Sequence, residues 1–437
     1  MSERLARLML RGYRFAGAAA YPLVGPYIAW RATKGKEDPR RRRERRGFAS
    51  HPRPEGPLVW MHAASVGETM AVIPLIERIL EDEISVVLTT GTVTSAQVAS
   101  ERLGGRVIHQ YVPLDLKPAV SRFLGHWRPD LALIAESELW PMTILELGAR
   151  RVPQVLVNGR LSERSFQAWR KRSHVAEALF ENLAHVIAQS EEDAERFLAL
   201  GARPVTVAGN LKVDTRPPPA DEVELHELKR QIGARPIWAA VSTHEGEETI
   251  AAEVHATLSA RHPGLLTIVV PRHPGRGDAL AEQFTAMGLN VVRRSTGDAV
   301  GPDADVFLGD TIGEMGLYLR LTEIAFVGRS LSAQGGQNPL EPAMLDTAIL
   351  AGRNVQNFRD AYCRLIDGGG AKLVRDRDTL AQAVHFLLRN DAARHAMMAA
   401  SAATVAEMRG ALDRTLRALE PFIQPLVVKA RLKKPDA

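Results

Sequence analysis

From residue 56 onward, short apolar runs alternate with stretches whose apolar residues recur at helical spacing. Leu58–Met61, Ser85–Leu88, Val107–Tyr111, Leu131–Ala135, Gln154–Val157, Val186–Ala188 and Val205–Val207 predict strands. Between them Ala71–Leu80, Ser95–Leu103, Pro118–Trp127 and Glu191–Leu200 predict helices. Such alternation predicts βαβ units and a parallel sheet. The run Thr215-Arg216-Pro217-Pro218-Pro219-Ala220 interrupts it, because consecutive prolines continue neither a helix nor a central strand, and it reads as a stiff linker. The pattern then restarts with strands Ile237–Val241, Leu265–Val270, Val291–Arg293, Val306–Leu308, Ile324–Val327 and Ala348–Leu350. Helices Glu248–Ala260, Asp278–Met287, Leu340–Leu345 and Thr379–Leu388 intervene, and a helix over Val405–Leu419 closes the chain. Two α/β halves of similar size predict a two-Rossmann arrangement with a cleft between them.

The 437 residues suffice for two cores. A hydrophobic fraction of 45% with 24% charged residues is that of an ordinary globular protein. The single cysteine, Cys363, excludes a disulfide framework and a cysteine-based metal site, and suits a reducing compartment.

Charge is unevenly placed. Residues 1–46 hold thirteen Lys/Arg against four Asp/Glu, a net +9 within a formal total of +5, so the remainder carries −4. The last residues, Lys429, Arg431, Lys433 and Lys434 against Asp436, add +3, which leaves 47–428 at −7. A nucleic-acid partner calls for a basic face on the folded body, so none is expected. The uncharged stretch Phe15–Trp30 contains Tyr21, Leu23, Val24, Tyr27, Ile28 and Trp30, and is broken by Pro22, Gly25 and Pro26. It is short for a span of about 20 residues. No small-residue cleavage site leads into a polar mature start, as a signal peptide would require. Followed by Arg31, Lys34, Lys36 and the Arg40–Arg46 cluster, it reads as an interfacial or single-pass anchor on an anionic membrane surface, with the body on the cytoplasmic side. The basic tail is expected to return to this side, placing Lys433 and Lys434 near the N-terminal segment.

In the first half, Trp60-Met61-His62-Ala63-Ala64-Ser65-Val66-Gly67-Glu68 runs from a strand into a helix. Open α/β sheets place ligand chemistry in such turns. A carboxylate there can take a proton from a substrate hydroxyl. It can equally complement the helix dipole, for about 0.3–1 kcal/mol, and spacing alone leaves both readings open.

Four features of the second half also fall at strand ends. Ser242 and Thr243, in Ser242-Thr243-His244-Glu245-Gly246-Glu247, can cap the next helix or touch a ligand. In Pro271-Arg272-His273-Pro274 the prolines stiffen a turn that presents Arg272 as a phosphate clamp. Gly309-Asp310-Thr311-Ile312-Gly313-Glu314 opens a helix. Gly335-Gly336-Gln337-Asn338-Pro339-Leu340-Glu341 combines close-approach glycines with a proline suited to a first helical position. The helix start offers N–H groups to a phosphate, and Glu341 can bind ribose hydroxyls or cap the dipole. Together they describe a nucleotide site, yet no Walker lysine loop or G-x-G-x-x-G is present. Asp303-Ala304-Asp305 precedes a strand rather than following one, and no metal site is expected.

With these segments assembled, the chain resembles the Kdo transferases of glycosyltransferase family 30. The resemblance covers essentially the whole chain. It rests on Ser65-Val66-Gly67-Glu68, Glu136-Ser137-Glu138-Leu139-Trp140-Pro141, Asn158-Gly159-Arg160-Leu161-Ser162, Ser242 to Glu247, Pro271 to Pro274, Gly309-Asp310-Thr311 with Gly313-Glu314, and Asn338-Pro339-Leu340-Glu341. It implies the α/β GT-B fold, two facing Rossmann-like domains behind an N-terminal membrane segment. The expected divisions are 1–46 for that segment, 47–214 for the acceptor domain, 215–220 for the linker, 221–402 for the CMP-Kdo domain and 403–437 for a helix and basic tail. The implied reaction moves Kdo from CMP-Kdo to a lipid A precursor at the inner face of the cytoplasmic membrane, without a metal or other cofactor. By resemblance Glu68 is the general base, and Glu136 and Lys212 stabilise the transition state. Pro271, Arg272, Ile312, Gly313, Glu314, Asn338, Pro339, Leu340 and Glu341 match CMP-binding segments, with Ser242, Thr243 and Gly336 beside them. Arg160, Arg164 and Ser65 are candidates for the acceptor. Three positions depart from the commonest family pattern: Gln337, Arg329 where a glycine is usual, and Met142. The competing readings are a GT-B transferase or epimerase using a UDP-sugar, and a noncatalytic membrane-docked binding protein.

Overall fold

The computed structural model describes residues 9–10, 12–13, 15, 17–19 and 21–432. The expected place of Lys433 and Lys434 lies outside them. The chain forms two compact units, Met1–Thr215 with Arg409–Ala437, and Arg216–Met408.

The first unit is built on strands β1 (Leu58–Ala63), β2 (Ser85–Thr90), β3 (Ile108–Tyr111), β4 (Leu131–Ala135), β5 (Gln154–Gly159), β6 (His185–Ala188) and β7 (Val205–Val207). They form one sheet in the order β3-β2-β1-β4-β5-β6-β7. Every pairing is parallel, with Trp60 beside Val87 of β2 and Ala132 of β4. Helices cover both faces of such a sheet, which is why β1 and β4 read as unbroken apolar runs and are buried throughout. On one face Trp60 packs on Phe123 with ring centroids 4.7 Å apart. On the other, Val72, Leu75 and Ile76 meet Leu419, Ile423, Leu426 and Val427.

Those last four residues belong to a helix, Ala411–Arg431, that differs from the expected Val405–Leu419. The preceding helix, Asp391–Met408, ends in the second unit, and Gly410 starts the new one at φ 90°. The helix runs past Leu419 and through both Pro421 and Pro425. Each interior proline costs about 3 kcal/mol. Burying four large aliphatic side chains returns about 1.5–3 kcal/mol apiece, enough to carry the helix past both prolines. Asp214 caps its start, accepting from Gly410 N–H at 2.9 Å and Leu412 N–H at 2.5 Å.

The N-terminal helix Val24–Thr33 buries Val24 and Ile28, one turn apart. Its other face exposes Leu23 (69%), Tyr27 (47%) and Trp30 (58%). Among the described residues no helix is long and apolar enough to cross a membrane. The basic cluster after it is only partly a surface feature. Arg45 is buried, paired with Glu37 at 2.8 Å and bonded to Gly91 O. Arg41 bonds Glu44 and His109 O, while Arg40, Arg42, Arg43 and Arg46 stay exposed. Burial and these two arginines push His109 down to about 3, so it remains neutral.

The second unit repeats the plan with β8 (Ile237–Thr243), β9 (Leu266–Pro271), β10 (Val291–Arg293), β11 (Val306–Leu308), β12 (Ile324–Val327), β13 (Ala348–Ala351) and β14 (Ala371–Leu373), in the order β10-β11-β9-β8-β12-β13-β14. Among these, β14 has no counterpart in the predicted strands. It is three residues long at a sheet edge, with Lys372 and Leu373 exposed, so it lacks the apolar run that marked the others. The proline run is packed rather than free. Gly316 sits against the carbonyls of Pro218 and Pro219, and Arg320 Nη1 donates to Pro218 O at 2.6 Å.

Candidate functional sites at the two strand-order reversals

In the first unit the strand order reverses between β1 and β4, where connections leave in opposite directions and open a crevice for ligands. Ser65 and Glu68 follow β1, Glu136 follows β4, and Arg160 follows β5. Ser65, extended at φ −111° and ψ 167°, caps the helix Val66–Glu81. Its Oγ accepts from Glu68 N–H at 3.3 Å and donates to Glu68 Oε1 at 2.7 Å, while Glu68 Oε2 accepts from Ala64 N–H at 2.8 Å. Ser65 thus caps the helix, and the Glu68 carboxylate reaches back to the Ser65 hydroxyl and the N–H of the residue before it, which fixes it in place at the helix start. Burial raises its pKa and the nearby charge of Glu136 raises it further, against the pull of the Ser65 and Ala64 bonds.

Glu136 adopts φ 52°, a left-handed conformation costly for a residue with a Cβ. It pairs with Lys212 Nζ at 2.5 Å. Lys212 lies in the 3₁₀ turn Leu211–Val213, whose Leu211 packs on Ala71 of the Glu68 helix. A Cβ at Gly67 would stand 3.9 Å from Lys212 Cε. The structure therefore gathers Glu68, Glu136 and Lys212 from three distant segments. Glu138 is committed elsewhere: its Oε2 accepts from Trp140 Nε1 at 2.6 Å and lies 3.7 Å from His62 Nε2. Burial works against its ionisation, but His62 and Trp140 outweigh it and hold the carboxyl below the usual range. Arg164, exposed in the first turn of helix Glu163–Arg170, and Arg160 lie beyond the end of β5. No bond joins either to Glu68 among the described residues.

The second unit reverses between β8 and β12. Here the organising group is Glu247, only 1% exposed. Its Oε2 accepts from the N–H groups of His244 (3.0 Å) and Arg329 (2.6 Å), and its Oε1 from those of Ser330 (2.8 Å) and Leu331 (2.9 Å). One carboxylate thus ties the turn after β8 to the turn after β12. Thr243 ends β8 and donates to Glu248 Oε1 at 3.2 Å, and Gly246 precedes the next helix, so neither Ser242 nor Thr243 is its cap. Pro271 is buried at the end of β9, and Arg272 N–H donates to Thr243 O at 3.0 Å, leaving its side chain exposed.

The helix after Pro339 spans only Leu340–Ala343; Leu340 N–H already bonds Asn338 Oδ1 at 3.1 Å, and Pro342 has no N–H. This helix start therefore offers a phosphate less than a full first turn would. At Gly335 and Gly336 the chain's own packing demands glycine: a Cβ would stand 2.5 Å from Asn357 Nδ2 and 2.9 Å from Val355 Cα respectively. Glu314 is spent on structure. Its pairing with Arg294 at 2.8 Å holds the carboxyl below the usual range, and Thr311 Oγ1 donates to it at 2.5 Å. The turn they brace presents Ile312, 78% exposed, beside Gly313 at φ 87°.

Sequence reasoning quoted Glu247 within a motif without giving it a role. Asn158 was likewise quoted within a motif without a role; at φ 53° and buried, its Oδ1 accepts from Leu211 N–H at 2.9 Å and so fixes the Lys212 turn.

Two Rossmann-like units, each with its chemistry gathered where the strand order reverses, define an α/β protein of the GT-B class. Solved structures share this fold: a glycosyltransferase from Rickettsia africae (TM-score 0.60, 12% identity, 85% of this chain and 100% of that one) and the UDP-GlcNAc 2-epimerase of Neisseria meningitidis (TM-score 0.56, 13% identity, 86% and 100%). The family model of 3-deoxy-D-manno-octulosonic-acid transferase (kdotransferase) matches residues 40–215. The 3-deoxy-D-manno-octulosonic acid transferase of Haemophilus influenzae is 34% identical over 92% of this chain and 96% of its own length. That of Bordetella pertussis is 38% identical over 86% and 90%. The chain belongs to the 3-deoxy-D-manno-octulosonic acid (Kdo) transferase family, and is a glycosyltransferase.

Glu247→Gln places an NH₂ group against backbone N–H donors and leaves buried groups unpaired, which costs about 2–4 kcal/mol. A lowered thermal midpoint of the purified variant is expected; an unchanged midpoint would show that Glu247 does not hold these turns together.

Proposed function

We propose that this enzyme transfers Kdo from CMP-Kdo to a lipid A precursor of the lipid IVA type, with Glu68 as the general base. The observation that carries the reading is the Glu68 carboxylate, held by Ser65 and Ala64 with a raised pKa beside the Glu136–Lys212 pair. A sugar hydroxyl is too weak an acid to ionise near neutral pH, so its proton must pass to a base as attack proceeds. A base works best with a pKa near the working pH, and the upward shift moves Glu68 in that direction.

In this reading Glu68 accepts the acceptor proton while the acceptor oxygen bonds the anomeric carbon of Kdo. The bond from that carbon to the phosphate oxygen breaks, and CMP leaves with the electron pair. Arg272, at the end of β9, neutralises the phosphate, and exposed Ile312 offers the cytosine ring an apolar face. Glu341 and Asn338 are placed to meet ribose hydroxyls. Glu136 and Lys212 stabilise the transition state, the carboxylate facing the positive charge that develops at the anomeric carbon and the ammonium the negative charge of the departing phosphate. Arg160 and Arg164 take the acceptor phosphates, since guanidinium groups suit such anions. The relatives' names supply Kdo as the group transferred; the anionic donor and acceptor fit the arginines of the two sites.

Glu68→Gln is expected to lower CMP release from CMP-Kdo in the presence of lipid IVA by about 10²–10⁴-fold while both substrates still bind. Undiminished turnover by the variant would falsify the assignment, and a panel of CMP, UMP and UDP tests the nucleotide.

The ionised form of Glu68 is the active one, so activity falls as pH drops through its raised pKa. Removing the neighbouring negative charge with Glu136→Gln eases ionisation. The acid limb of kcat/KM is then expected to move to lower pH even as kcat falls; a limb that stays put would assign it to another group.

We further propose that the protein works on the cytoplasmic face of the inner membrane. The exposed row Leu23, Tyr27 and Trp30 would enter the interface, with Arg40, Arg42, Arg43 and Arg46 on anionic headgroups. Replacing Tyr27 and Trp30 by serine is expected to release the protein from anionic vesicles in a flotation assay, and retention of full binding would count against this face.

A further inference from the structure

Three adjacent strands of the second unit, β9, β8 and β12, lead into turns that carry Arg272, His244 and Arg329. The shared Oε2 of Glu247 brings the backbones of His244 and Arg329 together, and the Arg272 N–H bond to Thr243 O sets Arg272 next to His244. Gln337 Nε2 lies 2.9 Å from His244 Nε2, and the His244 and His273 rings are 5.7 Å apart. Burial lowers the pKa of His244, and Arg329, His273 and Arg272 lower it further, so the cluster's cations are arginines rather than this histidine. Neither arginine has a carboxylate partner among the described residues. By contrast Arg276, Arg293, Arg294 and Arg394 of the same unit are all ion-paired. Arg329 also adopts φ 55°, where glycine is favoured, and its Nε donates to Gln334 O at 3.1 Å. That bond steadies the side chain beside the Gly335–Gly336 turn without neutralising its charge.

A ulosonic acid joined to a nucleoside monophosphate carries two separate anions, a phosphodiester and a sugar carboxylate. We propose that Arg329 is a specificity-determining residue that binds the carboxylate of the donor sugar, leaving the phosphate to Arg272. The proposal rests on the CMP-Kdo reading above and extends it: a guanidinium in this place selects acidic sugars over neutral ones. Sugars without a carboxylate leave the charge unpaired, which disfavours them.

The test compares wild type, Arg329→Gly, Arg329→Lys and Arg272→Gln by their KM for CMP-Kdo and their inhibition by CMP, which lacks the sugar. Arg329→Gly relieves the left-handed strain and is expected to fold. It should raise KM for CMP-Kdo about tenfold or more, the scale of one charge-assisted pair, with inhibition by CMP changed by less than about twofold. Arg329→Lys keeps the charge without the planar fork and should fall between. Arg272→Gln should weaken CMP and CMP-Kdo alike. Equal loss of CMP and CMP-Kdo in Arg329→Gly, or no change in either, overturns the role given to Arg329. A wild type that neither binds CMP nor turns over CMP-Kdo overturns the donor reading itself, a different failure.

Discussion

A parallel sheet whose strand order reverses must leave a gap at the reversal, because the connections on either side depart in opposite directions. Both units obey this constraint, one between β1 and β4 and the other between β8 and β12. The remaining architecture serves to hold side chains at those two places. Four residues with a Cβ adopt positive φ at the carboxyl ends of strands: Glu136, Asn158, Ser242 and Arg329. Glu83, Arg128, Arg151 and Asp346 do so in helix-to-strand turns at the opposite edge, where the chain simply reverses. Strain at the ligand edge turns polar side chains out of the strand direction, and surrounding bonds sustain it.

Those bonds come largely from carboxylates. Glu247 satisfies backbone donors of two turns, one of them 82 residues away. Asp214 closes the start of the helix Ala411–Arg431, 196 residues on, immediately after the Lys212 turn. Asp310, buried against Arg293 and Ser295, steadies the turn before Ile312. The buried carboxylates of Glu247 and Asp310 are tolerable because several donors compensate their desolvation, and removing any partner leaves a charge that water cannot reach.

In the proposed mechanism Glu68 has a structural role and a chemical one that do not compete. Its bonds to Ser65 and Ala64 are those of a helix cap, and the same bonds aim and immobilise the carboxylate. Burial and the charge of Glu136 then tune it. The dipole-complementing and proton-accepting readings of one glutamate describe one geometry.

The local pattern of the chain determined the α/β alternation and nearly every strand. Those properties follow from apolar spacing within a dozen residues, and motif order carried the family resemblance. Tertiary structure decided which of the quoted side chains are already committed: Glu314 to Arg294, Glu138 to Trp140, and the Gly335–Gly336 pair to the Asn354–Asn357 segment. It also decided that a helix would run through two prolines, that half-buried Arg41 and buried Arg45 would brace β3, and that Glu247 would be the hub of the second unit. None of these could be read locally, because burial and hydrogen-bond partners depend on segments tens to hundreds of residues apart, and periodicity carries no information over that distance.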